Sequence, residues 1–305
     1  MRLVLLVNTS ASSVTPRVRV VVHKTLSVGH EVLLRETNRR WHAARLAQGA
    51  AADGADVVVV LGGDGTLNEA ANGLAGTSTA LAVVPGGSTN VFARAIGMAD
   101  DPVEAAGQLL ACLEGAPDKV GLGRANARYF LFHAGIGFDA AVVAKVERVP
   151  RLKRYAGPVV FLAASLGTWA GGYRRNRPVF SVAPEGLGPS EASFAVCLNT
   201  SPYTFLGRRR VELVPGTALG DGLSLMAMDE LGPGAMLPTV AAALGRGVDT
   251  TTSAHVRVAR RLHRLDITCT HPVPYQLDGD YVGEADRIAL EWAPDALTLI
   301  RPRSG

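Results

Sequence analysis

The stretch Asp56-Val57-Val58-Val59-Val60-Leu61-Gly62-Gly63-Asp64-Gly65-Thr66-Leu67-Asn68-Glu69 decides how the chain reads. Its first half is a continuous β-branched run bounded by Asp and Gly, the pattern of a strand buried on both faces of a parallel sheet. Its second half is a glycine turn leading into Leu67–Leu74, which reads as a helix. Glycines at a strand end let the backbone approach a ligand, and the amides at the head of the next helix favour an anion. Asp64 stands in that turn, where it can hold a divalent cation or orient an attacking hydroxyl. Thr66 can cap the helix or reach an oxygen. The spacing is neither that of a dinucleotide fingerprint nor that of a Walker loop, so the residues alone imply a phosphate or metal–phosphate site. A purely structural glycine turn with an Asx cap is the competing reading.

A second loop, Pro85-Gly86-Gly87-Ser88-Thr89-Asn90, follows the buried run Ala80–Val84 and precedes a helix over Asn90–Ile96. Two neighbouring strand-end loops can clamp one nucleotide, with Ser88, Thr89 and Asn90 supplying hydroxyls and an amide; helix capping is their structural alternative. Outward from these loops, Leu3–Val7 and Glu31–Arg35 read as strands, and Trp41–Ala52 and Pro102–Leu113 as helices. Pro16–Leu26 permits a helix, though its valines also permit a strand. Strand, turn and helix in alternation predict an open α/β domain over residues 1–120. Beyond it, Lys119–Gly123 and Arg128–His133 read as strands. Short strands dominate from Arg177, and one helical insertion is expected within Glu230–Val248, beginning after Pro238. These predict a mainly antiparallel β-rich substrate domain over 121–295, with a tail, 296–305, that can return to the first domain. Within the second domain, Arg154–Leu166 reads as an amphipathic helix. The basic residues Arg148, Arg151, Lys153 and Arg154 suit anionic headgroups, as do Arg208–Arg210 and Arg260–Arg264 more weakly.

The chain has 305 residues, 48% apolar, with formal net charge +4 and a sequence pI near 9.1. That allows one or two cores and favours anionic ligands, while the arginine-rich stretches match no nucleic-acid-binding pattern. The three cysteines, Cys112, Cys197 and Cys269, are too far apart for a zinc motif and odd in number, which suits core filler in a reducing compartment. No run is long enough to span a bilayer, so the expectation is a cytoplasmic protein that touches the inner membrane surface without crossing it.

The two loops carry a resemblance. Gly62–Glu69 is similar to the GGDGTxNE signature of the diacylglycerol kinase catalytic family, in particular of the bacterial lipid kinases related to sphingosine kinases. Pro85–Asn90 resembles that family's second nucleotide loop, and Asn8 the Asn that ends its first strand. Thr37, followed by His42 and Ala43, resembles the Thr near its adenine-nucleotide site. His133–Ala140 resembles the segment after its domain crossover. The resemblance implies an α/β domain of the NAD kinase/phosphofructokinase-like type, followed by a mainly antiparallel β domain. It implies ATP and Mg²⁺ as cofactors. Asn8, Thr37, Gly62, Gly63, Gly65, Thr66, Asn68, Glu69, Gly86, Gly87, Ser88, Thr89 and Asn90 would form the nucleotide site. In Leu277-Asp278-Gly279-Asp280, Asp278 takes the place of the family's acid–base residue, with Asp64 the rival claimant. Asp280 stands where Glu is more frequent and would support metal or nucleotide. Asp64, Asp280 and Asp221 are the candidate metal ligands, although Gly220 replaces the acidic residue that precedes Asp221 in many relatives. Val91 replaces an Asp common directly after the loop Asn. Without the family, Asp278-Gly279-Asp280 would read as a β-turn.

The expected activity is therefore ATP-dependent phosphorylation of a lipid hydroxyl, with diacylglycerol foremost among the acceptors. A kinase of a soluble alcohol or NAD-type substrate predicts turnover without micelles, and a non-catalytic nucleotide- or lipid-binding regulator predicts affinity without turnover. The expected partners are a lipid substrate and a membrane surface, not nucleic acid; a homodimer is compatible with the sequence.

Overall fold

The computed structural model describes residues 1–147, 179–245 and 254–303. The basic residues Arg148–Arg154 and the expected helix Arg154–Leu166 lie outside the described residues. The chain divides into two compact units, Met1–Gly121 with Pro294–Gly305, and Leu122–Ala293.

The first unit is a parallel sheet wrapped by helices. Its strands are β1 (Arg2–Val7), β2 (Glu31–Glu36), β3 (Val57–Gly62) and β4 (Ala80–Pro85), in the order β2-β1-β3-β4. Leu299 pairs in parallel with Leu81 and extends the sheet beside β4. The centre is fully apolar: β3 and β4 are buried at every position, as a strand covered on both faces must be. Helices α1 (Pro16–Leu26), α2 (His42–Ala52), α3 (Asp64–Leu74), α4 (Val91–Ala95) and α5 (Pro102–Leu113) make the connections. α1 packs on α5, and α2 on α3. Thr15 settles the strand-or-helix ambiguity of Pro16–Leu26. Its side chain accepts from Val18 and Pro16 takes the first helical turn, a start signal that outweighs the valines. The direction of winding reverses between β1 and β3. In an open α/β sheet the crevice beyond the carboxyl ends of such strands is where ligands bind.

The second unit is built on an antiparallel sheet. Its strands are β5 (Asp118–Ala125), β6 (Arg128–Phe130), β7 (His133–Gly137), β8 (Phe180–Pro184), β9 (Ser190–Ala192), β10 (Phe194–Leu198), β11 (Thr204–Leu206), β12 (Arg209–Val211), β13 (Leu223–Met228), β14 (Val256–Leu262), β15 (Arg264–Leu277) and β16 (Asp280–Leu299). The sheet runs β14-β13-β10-β7-β15-β16, and β11 pairs with β12 as a separate hairpin. One apolar cluster holds Phe130, Phe180, Ile267 and Leu290. Another packs α6 (Phe138–Glu147) and α7 (Pro233–Ala243) with Tyr203, Leu213 and Met226. α7 begins at Pro233, before Pro238 and not after it, because Pro233 fits the first helical turn. β15 is not one of the short strands expected there but a single long one, irregular between Thr268 and Val273. Among the described residues, no helix is long and apolar enough to cross a membrane.

Candidate phosphate and acid–base site

The glycine turn after β3 is shorter than the sequence suggests. α3 starts at Asp64, so Asp64, Gly65 and Thr66 form its first turn and only Gly63 precedes it as the N-cap. Thr66 therefore does not cap the helix. It lies inside it, and its Oγ1 accepts from Asn8 Nδ2 at 2.8 Å. Gly63, the N-cap, has no side chain to offer the first-turn amides of α3, and a helix start of this kind favours an anion.

The acidic residues of the motif cap other helices. Neither α2 nor α4 is capped by its own N-cap side chain, that of Trp41 or Asn90. The Asp64 carboxylate supplies the cap for α4, accepting from the amides of Val91 at 2.9 Å and Phe92 at 3.1 Å. Glu69 Oε2 accepts from Ala43, in the first turn of α2, at 3.1 Å. A carboxylate at a helix start is also favoured by the helix dipole. One eight-residue motif thus ties β1, α2 and α4 to α3, a role for Asp64 and Glu69 that composition and spacing do not reveal.

The second loop lies against the first. The amide of Gly86 donates to Gly62 O at 2.8 Å. A Cβ on Gly87 would come within 2.8 Å of the Gly63 Cα and 3.0 Å of Asn90 Oδ1, so only glycine allows the two backbones to meet. Asn90 turns back on its own loop in a left-handed conformation, φ 49°, accepting from the Gly87 amide and donating to its carbonyl. Gly63, Asp64, Gly65, Gly87, Ser88 and Thr89 keep access to solvent. Asn68 is fully buried and receives Asn72 Nδ2. Asn90 and Thr66 are likewise buried, and Thr37 extends the β1–β2 pairing through its amide to Val7 O.

In the second unit, Asp278 and Gly279 are the two residues between β15 and β16, where Leu277 pairs with Asp280. Both have positive φ, 51° and 80°, as the type I′ hairpin turn requires. The Asp278 side chain is buried and accepts from three consecutive amides, Leu131 at 2.7 Å, Phe132 at 2.9 Å and His133 at 3.0 Å. Asp280 lies 3.6 Å from the Arg128 guanidinium, and Asp221 is exposed in the turn before β13. Among the described residues, no group of three or more His, Cys, Asp or Glu could hold a metal ion. Within the second unit, Asp221 and Asp280 belong to no such cluster.

A buried polar network adjoins Asp278, one that the sequence reading did not find. Asp139, in α6, accepts from the Tyr203 hydroxyl and, at 2.7 Å, from Gln276 Nε2. Gln276 Oε1 in turn accepts from the Gly279 amide at 2.8 Å, bracing the hairpin turn. Burial pushes the Asp139 carboxyl above the usual carboxylate range, against the pull of its two donors. The His133 ring lies 4.7 Å from that of Tyr203 and 4.8 Å from that of Phe132, and burial pushes its pKa down to about 3. Gly135 faces this network, and a Cβ there would stand 1.7 Å from Asp139 Oδ2.

A family model described as the diacylglycerol kinase catalytic domain matches residues 2–125. A Pseudomonas aeruginosa PAO1 protein named "Probable lipid kinase YegS-like" is 30% identical over 305 residues, covering 98% of this chain and 94% of its own. The diacylglycerol kinase of Bacillus subtilis strain 168 is 26% identical over 266 residues, covering 86% and 84%. A crystal structure of a diacylglycerol kinase from Bacillus anthracis str. Sterne superposes with a TM-score of 0.72 at 18% identity, covering 99% of this chain and 97% of its own. At that identity the likeness concerns the fold.

Proposed function

Because the chain belongs to the family of bacterial lipid kinases that includes the diacylglycerol kinases, we propose that it transfers the γ-phosphoryl group of ATP to a lipid hydroxyl, with diacylglycerol the foremost acceptor. The observation that supports this most directly is the contact between the two glycine loops beside the α3 N-terminus, whose N-cap is itself a glycine. Close backbone approach and a glycine N-cap at a helix start suit a polyphosphate.

The donor chemistry also fits Mg²⁺, which is commonly held by one or two carboxylates plus phosphate oxygens and water. Asp64, solvent-accessible among the loops, would hold it; Mg²⁺ supplies charge neutralisation on the β- and γ-phosphates when bound. The chain's own contribution is positioning. Gly63, Gly65 and Thr66 present the α3 amides to phosphate, and Gly87 and Ser88 close the loop pair. Asp278, locked by its three amides, is assigned the acceptor hydroxyl, which it orients and whose proton it takes late in transfer. Uncatalysed alcohols are poor nucleophiles toward phosphate, so holding the hydroxyl in line supplies much of the acceleration.

The test is Mg²⁺-dependent transfer of labelled γ-phosphate to a panel of lipid alcohols in mixed micelles, with Asp64→Ala alongside and its folding checked by thermal melting. Product with one lipid, lost in a folded Asp64→Ala variant, is the expected outcome. Transfer to glycerol or NAD but to no lipid would replace this reading with the soluble-substrate one. Nucleotide binding without transfer to any acceptor would make the protein a regulator.

A further inference from the structure

α7 carries no charged residue from Pro233 to Ala243. Its inner face is core: Ala235 and Ala243 are buried with Tyr203, Leu213 and Met226. Its outer face is apolar as well. Leu237 and Val240, at helical spacing and continued by the half-buried Leu244, are 69% and 46% exposed. A surface helix ordinarily turns polar residues to water, so a stripe of this kind needs a cover.

The hairpin β11–β12 adjoins the C-terminal end of this helix. The Glu212 amide donates to Ala243 O at 2.9 Å, and the Arg209 guanidinium donates to the Leu244 carbonyl. Arg208, Arg209 and Arg210 are all exposed on that hairpin. Arg210 pairs with Glu212 at 3.0 Å, while Arg208 makes no ion pair among the described residues. The nearby acidic residues, Asp229 and Glu230, precede α7 at its opposite end, where His255 lies 3.1 Å and 3.3 Å from their carboxylates. Positive charge and apolar stripe therefore meet at the C-terminal end of α7.

We propose that this surface, made by Leu237, Val240 and Leu244 with Arg208, Arg209 and Arg210, docks the protein on an anionic lipid bilayer. Large aliphatic side chains seat at the acyl boundary while guanidinium groups meet headgroup phosphates, the pairing an amphipathic interfacial element uses. A stripe this small would cover a few hundred Å², under the roughly 600–800 Å² that each partner contributes to a stable protein interface. That disfavours a second copy as the cover, whereas a membrane needs only a shallow apolar foothold reinforced by charge. The inference deepens the lipid-kinase reading by naming where the bilayer that holds the substrate is met, and its test does not depend on turnover.

The experiment is cosedimentation of the full chain with vesicles of phosphatidylcholine, with and without phosphatidylglycerol. Arg208→Glu and the double variant Leu237→Ser/Val240→Ser are run beside it. These side chains are exposed, and melting temperatures check that the variants fold. The wild type is expected to bind the anionic vesicles, to release them as salt rises and to leave pure phosphatidylcholine in suspension. Each variant is expected to bind at least about fivefold more weakly, with transfer to a micelle-dispersed acceptor unchanged. Wild-type binding to neither vesicle, equal binding to both, or variants that bind like wild type would overturn the proposal. So would wild-type self-association abolished in the variants with vesicle binding intact, which would assign the stripe to a second copy. Vesicle binding that responds to the variants in a chain that phosphorylates no lipid would uphold the docking surface and discard the lipid-kinase reading.

Discussion

Asp278 shows how one carboxylate can serve fold and chemistry together. Its oxygens collect three amides from residues 131–133, the chain just before β7. Asp278→Asn offers one oxygen and an amino group in their place, so a donor is turned toward a buried donor. We expect a loss of about 1–3 kcal/mol in urea unfolding, together with a fall in kcat. An unchanged unfolding midpoint would mean that these amides do not depend on the carboxylate. His133 predicts a pH effect. Its folded pKa, about 3, lies below its unfolded value of 6.5. The unfolded chain therefore binds the extra proton, and the stability contributed by neutral His133 is complete above pH 6.5 and drains away as pH falls towards 3. The slope is up to about 1.4 kcal/mol per pH unit. Asp139, raised by burial, contributes the opposite slope from its ordinary value upward, so the signature is the difference between wild type and His133→Phe. Urea midpoints measured across this range should fall less steeply in the variant; parallel curves would show that His133 takes up a proton while folded.

Among the elements, the loop pair makes the sharpest prediction. Gly87→Ala would drive a methyl group into the Gly63 backbone at 2.8 Å, which no side-chain rotation relieves. We expect nucleotide affinity to fall about tenfold or more, equivalent to about 1.4 kcal/mol. Calorimetric titration with an ATP analogue checks it, and affinity within twofold of wild type would show that the loops part without cost. These loops were legible from the chain because buried strand, glycine turn and helix follow one another within a dozen residues. The start of α3 was not, because Gly63 and Gly65 have low helix propensity and the bonds that hold the turn come from Asn8 and α4. Asp278-Gly279 was legible as a turn, since Asp-Gly suits the two left-handed positions of a tight hairpin. What its side chain does was hidden, its partners lying 145 to 147 residues away. The network of Asp139 with Tyr203 and Gln276 was out of reach for the same reason, with separations of 64 and 137 residues.

At the scale of the whole molecule, the first unit is assembled from two distant pieces of chain. Leu297, Leu299 and Ile300 are buried in it, Gly76 donates to Ala296 O at 2.8 Å, and Arg301 pairs with Asp118 at 2.7 Å. Three buried aliphatic side chains are worth about 1.5–3 kcal/mol each, a large share of a domain's net stability. Deleting residues 294–305 should therefore lower the melting temperature by well over 10 °C or abolish soluble expression, read by scanning calorimetry; a shift of only a few degrees would make this segment dispensable. The same discontinuity sets an order of events during synthesis. The segment that completes the sheet beside β4 leaves the ribosome only after roughly 170 further residues, an interval of about ten to thirty seconds at ordinary elongation rates. Throughout that interval β4 has an unpaired edge, the kind of surface that invites pairing with other chains. A nascent chain stalled inside the second unit should thus engage chaperones through its first unit, although every residue of the two glycine loops has already been made.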